Sequence, residues 1–186
     1  MDEATLIRQA ASGDASAWEP VVLTHQEAVF RLAYLLLGDP DDAEDVAQET
    51  FLRAWHSLRR FDLSRPLRPW LLRIAANLAN NRRRSAGRYL AALVRGSRET
   101  PVASGVEEAS AQRMDSQQLW NAVRRLDASD QQVIYLRYFL DLSVAETANV
   151  LGTAQGTVKS RLSRALERLR LVIGRDFPML GERPSS

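Results

Sequence analysis

Lys159 is the only lysine among the 25 basic residues of this 186-residue chain, the rest being arginines. A guanidinium fork matches phosphate oxygens and the edge of guanine. Base composition of the coding DNA accounts for much of such an excess, so placement is more informative than number. Three stretches carry residue types that could do chemistry. In the first, Arg59–Pro69 (RRFDLSRPLRP), Phe61 and the following Trp70 lie among Arg59, Arg60, Arg65 and Arg68. Aromatic faces beside cations on an exposed loop suit single-stranded nucleic acid with a base held out of the stack; the competing reading puts both rings in the core. The second stretch is Gly156–Arg164. Gly156, Thr157, Ser160 and Arg164 share one helical face, flanked by Lys159, Arg161 and Ser163, opposite the apolar Val158, Leu162, Ala165, Leu166 and Leu169. Small residues let a helix backbone approach DNA, and the cations supply phosphate or guanine contacts.

The third stretch is acidic. Asp39–Glu49 (DPDDAEDVAQE) holds six carboxylates. The spacing of a calcium loop is absent. Acidic and apolar residues alternate at helical spacing, which fits an amphipathic helix offering an acidic face to a basic partner; helix capping with a solvated face is the plainer alternative. Nothing points to a reaction. There is no cysteine, the two histidines (His25 and His56) are far apart, and no phosphate loop or nucleophile motif occurs. The expectation is a protein that is not an enzyme, with no catalytic residues, metal or cofactor. No apolar run reaches a membrane span and the N-terminus is acidic, so no membrane insertion is expected and the cytoplasm is the default location.

Helices must position these stretches. With 45% hydrophobic and 26% charged residues, the chain reads as globular. Its apolar residues recur at helical, not alternating, spacing, and the expected fold is all-α. A first helix covers Glu3–Ser12. Asp14 caps a second, to about Leu37, closed by Gly38. Asp39 caps a third, with Pro40 at its first position. A fourth begins near Pro69. Further on, Met114, Leu119, Val123 and Leu126 mark one helix, and Ala128–Leu140 another with Val133, Ile134, Leu136, Tyr138 and Phe139 as core candidates. Ser143 and Glu146 form a capping box, Gly152 ends that helix, and the next starts at about Ala154. A short helix, a glycine turn and a helix with a small, basic outer face is the layout of a helix-turn-helix. Arg168 and Arg170, further along, read as solvated. The division is two small helical domains, 1–94 and 113–174, joined by a flexible linker, 95–112, with a polar tail, 175–186.

The segments DDAEDVAQETFLRAWHSLRRFD and RPWLLRIAANLANNRRR resemble region 2 of a bacterial sigma factor of the extracytoplasmic-function class, group 4 of the sigma-70 family. The stretch L-G-x-x-x-G-T-V-K-S-R-L resembles the region 4 helix-turn-helix of the same class. The resemblance implies a dissociable subunit that directs core RNA polymerase to promoter DNA and starts transcription, commonly held by an anti-sigma factor. It assigns Asp41, Glu44, Asp45, Gln48 and Glu49 to the core polymerase, at the β′ clamp, with the β subunit also in contact. It assigns Phe61, Asp62, Leu63, Ser64, Arg65, Asn77, Asn80 and Arg83 to the minus-10 element. Gly156, Thr157, Lys159, Ser160, Arg161, Ser163 and Arg164 fall to the minus-35 element. The sequence departs from the pattern in places: Ala47 and Thr147 replace bulkier residues, Leu67-Arg68-Pro69-Trp70 replaces a more typical F-x-T-W at the base-capture loop, and Ala154 stands where a serine would cap the recognition helix, leaving Thr153 as the capping candidate. The rival reading is a stand-alone helix-turn-helix regulator that binds an operator without polymerase. It would leave the acidic helix and the arginine-aromatic loop without a purpose.

Overall fold

The computed structural model describes residues 2–94 and 111–177, with side chains described up to 86 and again from 117. Most of the predicted linker and the tail beyond 177 lie outside the described residues. The described residues are helical, without a strand. Four helices make the first domain: α1 (Glu3–Ala11), α2 (Trp18–Leu37), α3 (Pro40–Ser57) and α4 (Leu67–Val94). Four more make the second: α5 (Ala111–Arg124), α6 (Ala128–Ile134), α7 (Val144–Leu151) and α8 (Gln155–Asp176).

Local sequence chemistry sets most of the boundaries. Asp39 accepts the Asp42 amide at 2.8 Å, so α3 starts with one of its orphan donors satisfied. Gly38 ends α2 with φ +77°, a conformation that penalises any residue carrying a Cβ. In the capping box of α7, Glu146 donates its amide to Ser143 Oγ at 3.1 Å and its carboxylate accepts the Ser143 amide at 2.8 Å.

Other boundaries differ from the sequence reading. Asp14 does not cap α2; it accepts the Ser16 amide and hydroxyl and caps a 3-10 turn, Ala15–Ala17, that precedes it. Helix α4 starts two residues before Pro69, which sits in its first turn, where a missing N–H is tolerated. The expected helix Ala128–Leu140 is α-helical only to Ile134, and Tyr135–Phe139 widen into a π-helical turn. That widening turns Tyr138 outward, 57% exposed, and Leu119 is also exposed, so neither is core. Helix α8 continues through Gly174 to Asp176, where Arg125, in the turn after α5, donates to Asp176 at 2.7 Å and lies over the Phe177 ring.

In the first domain, α2, α3 and α4 pack around Val29, Leu32, Ala43, Ala54, Leu71 and Leu72. In the second, α6, α7 and α8 enclose Val133, Leu136, Leu142, Val158 and Ala165. The two domains touch: α7 packs along α4, and Tyr34 of α2 stacks on Trp120 of α5, with ring planes 7° apart.

Candidate nucleic-acid and partner interfaces

Helix α3 buries Ala43, Val46, Ala47, Thr50, Phe51 and Ala54 against the first domain. The same periodicity leaves Asp41, Glu44, Asp45 and Gln48 exposed and Glu49 half-buried. The five predicted partner-binding residues therefore share the outer side of one helix. Gln48 donates to Glu44 at 3.4 Å, and Glu49 accepts from Arg53 at 2.6 Å. Arg82 of α4 reaches across to Asp42 at 2.7 Å and Asp45 at 2.9 Å. Its hydrogen bond to Asp45 pushes the guanidinium further up from its ordinary pKa. Arg82 thus faces the acidic helix. Beside Glu44 and Gln48, an apolar groove of about 850 Å3 runs between α2 and α3, with Trp18, Phe30, Phe51 and Leu52 in its walls. Leu52 is 57% exposed there. An acidic lip over an apolar groove suits a partner helix that carries both apolar and basic side chains.

The arginine-aromatic loop is held by Asp62. Its carboxylate accepts the Ser64 amide at 3.0 Å and the Ser64 hydroxyl at 2.7 Å, with Arg65 3.4 Å away. The Ser64 hydroxyl bond is the main reason the Asp62 pKa is lowered. Leu63, Ser64 and Arg65 stand exposed at the tip. Phe61 and Trp70 are half-buried with ring centroids 4.7 Å apart, so the loop has an aromatic floor that is neither wholly core nor wholly free. A pocket of about 180 Å3 opens between this floor, Asp62, Arg65 and Arg73. On α4, Asn77 is exposed, whereas Asn80 and Arg83 are half-buried. Asn80 accepts from Arg83 at 3.3 Å and donates to Gln132 of α6 at 3.4 Å.

Helix α8 buries Val158, Ala165 and Leu169 and exposes Gly156, Thr157, Lys159, Ser160, Ser163 and Arg164, with Arg161 half-buried. Ser160 donates to the Thr157 carbonyl at 3.1 Å, and Arg164 folds back onto the Ser160 carbonyl at 3.2 Å. Gln155, absent from the sequence-derived set, is exposed at the first position of this helix. Ala154 takes the N-cap position without a side-chain bond, and Thr153 does not replace it: its buried hydroxyl has no partner among the described residues. Arg168 is not merely solvated either. It pairs with Asp130, which is 1% exposed, and approaches Asp127 at 3.8 Å. Among the described residues no group of histidine, cysteine and acidic side chains could hold a metal ion, and no helix is long and apolar enough to cross a membrane.

The family model described as Sigma-70 region 2 matches residues 21–89, and that described as Sigma-70, region 4 matches residues 116–169. The chain is 38% identical over 165 residues to the ECF RNA polymerase sigma factor SigL of Mycobacterium tuberculosis, covering 88% of this chain and 93% of SigL. It belongs to the extracytoplasmic-function sigma factors. SigW of Bacillus subtilis is 35% identical over 173 residues, covering 88% of this chain and 92% of SigW. Among solved structures, CnrH in complex with the cytosolic domain of CnrY superposes with a TM-score of 0.70 at 30% identity, covering 94% of this chain and 98% of CnrH. RpoE in complex with the anti-sigma factor NepR from Bartonella quintana gives 0.68 at 28%, covering 86% and 98%. The acidic helix, the loop and α4 up to residue 89 fall in the region 2 match, and α8 up to residue 169 in the region 4 match. The sigma factor therefore carries its two regions in chain order on two helical domains, as the motifs implied.

Proposed function

We propose that the first domain of this sigma factor docks on core RNA polymerase through α3. Asp41, Glu44, Asp45, Gln48 and Glu49 meet basic residues of the β′ clamp coiled coil, and the adjoining groove takes its apolar side chains. On promoter DNA, the loop Phe61–Arg65 captures a flipped base of the minus-10 element, and the Asn77, Asn80 and Arg83 side of α4 meets its duplex edge. Thr157, Lys159, Ser160, Ser163 and Arg164 read the minus-35 element, with Gly156 allowing close approach and Arg161 holding phosphate. The protein has no reaction of its own and works in the cytoplasm, where an anti-sigma factor controls it, as the complexes of CnrH and RpoE suggest by similarity.

The observation that carries this reading is the acidic lip of α3 beside the apolar groove, a surface that a stand-alone operator-binding protein does not need. Reversing two of its charges, Asp45→Arg with Glu49→Arg, is expected to abolish co-purification with core polymerase and promoter-directed transcription in vitro. Neither residue contributes to the core of the domain, so helicity should stay unchanged. Wild-type levels of polymerase binding by the double variant would sink the assignment of α3.

A further inference from the structure

Helix α1 lies outside the region 2 match, which begins at residue 21. It is nevertheless tied into the first domain at both ends. At its first residue, the Glu3 carboxylate lies 2.7 Å from Nε2 of His25, a buried residue of α2. Further along, Ile7 and Ala10 are buried in the core of the domain. At its last residue, the Ala11 carbonyl accepts the Arg59 Nε–H at 3.2 Å, across 48 positions of sequence. The carbonyls just before it are bonded from the turn that follows α1. Arg8 and Gln9 accept the Ser12 amide, Ala10 the Gly13 amide, and Gln9 also the Asp14 amide. A guanidinium at a helix C-terminus complements both an orphan carbonyl and the negative end of the macrodipole.

Arg59 is the middle residue of a 3-10 turn, Leu58–Arg60, that leads into the arginine-aromatic loop. Leu58 is buried, and its carbonyl accepts the Phe61 amide at 3.0 Å. Phe61 then supplies the aromatic floor with Trp70. The turn is therefore held at two points, Leu58 in the core and Arg59 on the end of α1. One point would leave it free to swivel; two fix the direction in which Phe61 leaves it. Arg60 and Arg65 wall the pocket of the loop, and Arg59 does not. We propose that α1 is a brace for the minus-10 loop and that Arg59 is its positioning residue. The side chain touches no DNA; it holds Phe61 and the pocket in the shape that takes a base. This rests on the assignment of the loop to the minus-10 element. A loop that keeps its binding shape in only a fraction of molecules binds more weakly by that fraction.

The test uses the full chain assembled with core polymerase. The probe is a fork DNA with a single-stranded minus-10 strand, its sequence selected from a random library by the wild-type holoenzyme. Arg59→Ala is expected to weaken fork binding roughly fivefold, with unchanged binding to core polymerase and an unchanged slope of log affinity against log salt. Ile7→Ala loosens α1 without touching Arg59 and is expected to weaken the fork similarly. Glu3→Ala does the same from an exposed position should Ile7→Ala impair folding. Arg59→Ala added to either is expected to cost little further, because both changes break one link. Losses that multiply in the double variant, or a salt slope reduced by about one in Arg59→Ala, would make Arg59 a phosphate contact and overturn the brace. Wild-type fork binding by Arg59→Ala overturns it as well. Phe61→Ala checks the underlying assignment separately. If this variant binds the fork like the wild type, the minus-10 assignment of the loop fails and the brace has nothing to position. If it binds weakly while Arg59→Ala and the α1 variants bind normally, the assignment stands and the brace alone fails.

Discussion

The two domains treat buried polar groups differently. In the first, the buried polar side chains are Thr50 and His25. Thr50 donates to the Val46 carbonyl at 2.7 Å, and His25 meets Glu3 at 2.7 Å. In the second, Asp130 is buried on Arg168, and the side-chain atoms left without a partner among the described residues, on Tyr135, Arg137, Thr147 and Thr153, all belong to this domain. Burial pushes the Tyr135 hydroxyl up to about 12. A buried hydroxyl without a partner costs about 1–3 kcal/mol. The first domain is thus a finished platform. The second, smaller and less satisfied, should be the one that loosens first.

The sharpest way to break that contrast is the buried ion pair. Arg168→Ala leaves the Asp130 carboxylate inside the second domain with its main partner gone. Removing one partner leaves the buried charge uncompensated and destabilises, and the exposure of Arg168 moderates the loss. Hydrogen exchange on the full chain should show faster exchange in α6 and α8 and unchanged exchange in α2 and α3. Equal loosening of both domains would mean that they unfold as one unit and that the contrast has no energetic content. A smaller effect of opposite sign is expected at Thr147, wholly buried with its hydroxyl unpaired. Thr147→Val keeps the shape and removes the unsatisfied oxygen, so it should stabilise the second domain by about 1 kcal/mol. The corresponding change Thr50→Val in the first domain, where the hydroxyl is bonded, should bring no such gain.

These residues also mark where the sequence was legible. Caps and terminating glycines are short-range chemistry, and Asp39, Ser143 with Glu146, Gly38 and Gly152 all do what their spacing implied. The outward faces of α3 and α8 follow from periodicity alone. What failed needed tertiary information. The role of Arg168 depends on Asp130, a distant residue brought opposite it by packing of α6 on α8. The π-helical turn that exposes Tyr138 is one inserted residue in an otherwise helical pattern, invisible to a period count. Thr153 looked like a cap because the residue after it is an alanine, yet packing turns its hydroxyl inward. The domain contact was unreadable for a further reason: Arg73 lies against Gly152 and Arg124 against Gly38, each far along the chain from its glycine, and an arginine on a helix surface reads as solvated until its partner is known.

The smallest effect concerns acid. Glu146 completes the capping box of α7, and its carboxyl pKa is lowered, first by the Ser143 side chain, then by the Ser143 amide, with Arg68 and Arg137 adding to it. A carboxyl that is more acidic folded than unfolded stabilises the fold fully above the ordinary carboxylate range, and that stabilisation is lost as pH falls through its folded value. Because Glu146 is only half-buried and its partner is a neutral side chain, the increment is small, about 0.5 kcal/mol. Urea unfolding followed by the NMR signals of α7 should give a lower midpoint at about pH 3 than at about pH 6, below and above the ordinary glutamate value. Glu146→Gln retains an oxygen that accepts the Ser143 amide but cannot titrate, so it should lose this part of the slope while unfolding of α2 and α3 keeps the wild-type dependence. A wild-type slope in the α7 signals of Glu146→Gln would place the acid sensitivity of the helix-turn-helix elsewhere, with Asp127 at the start of α6, whose carboxyl is also lowered by the Asp130 amide and the Ser129 hydroxyl, as the next group to neutralise.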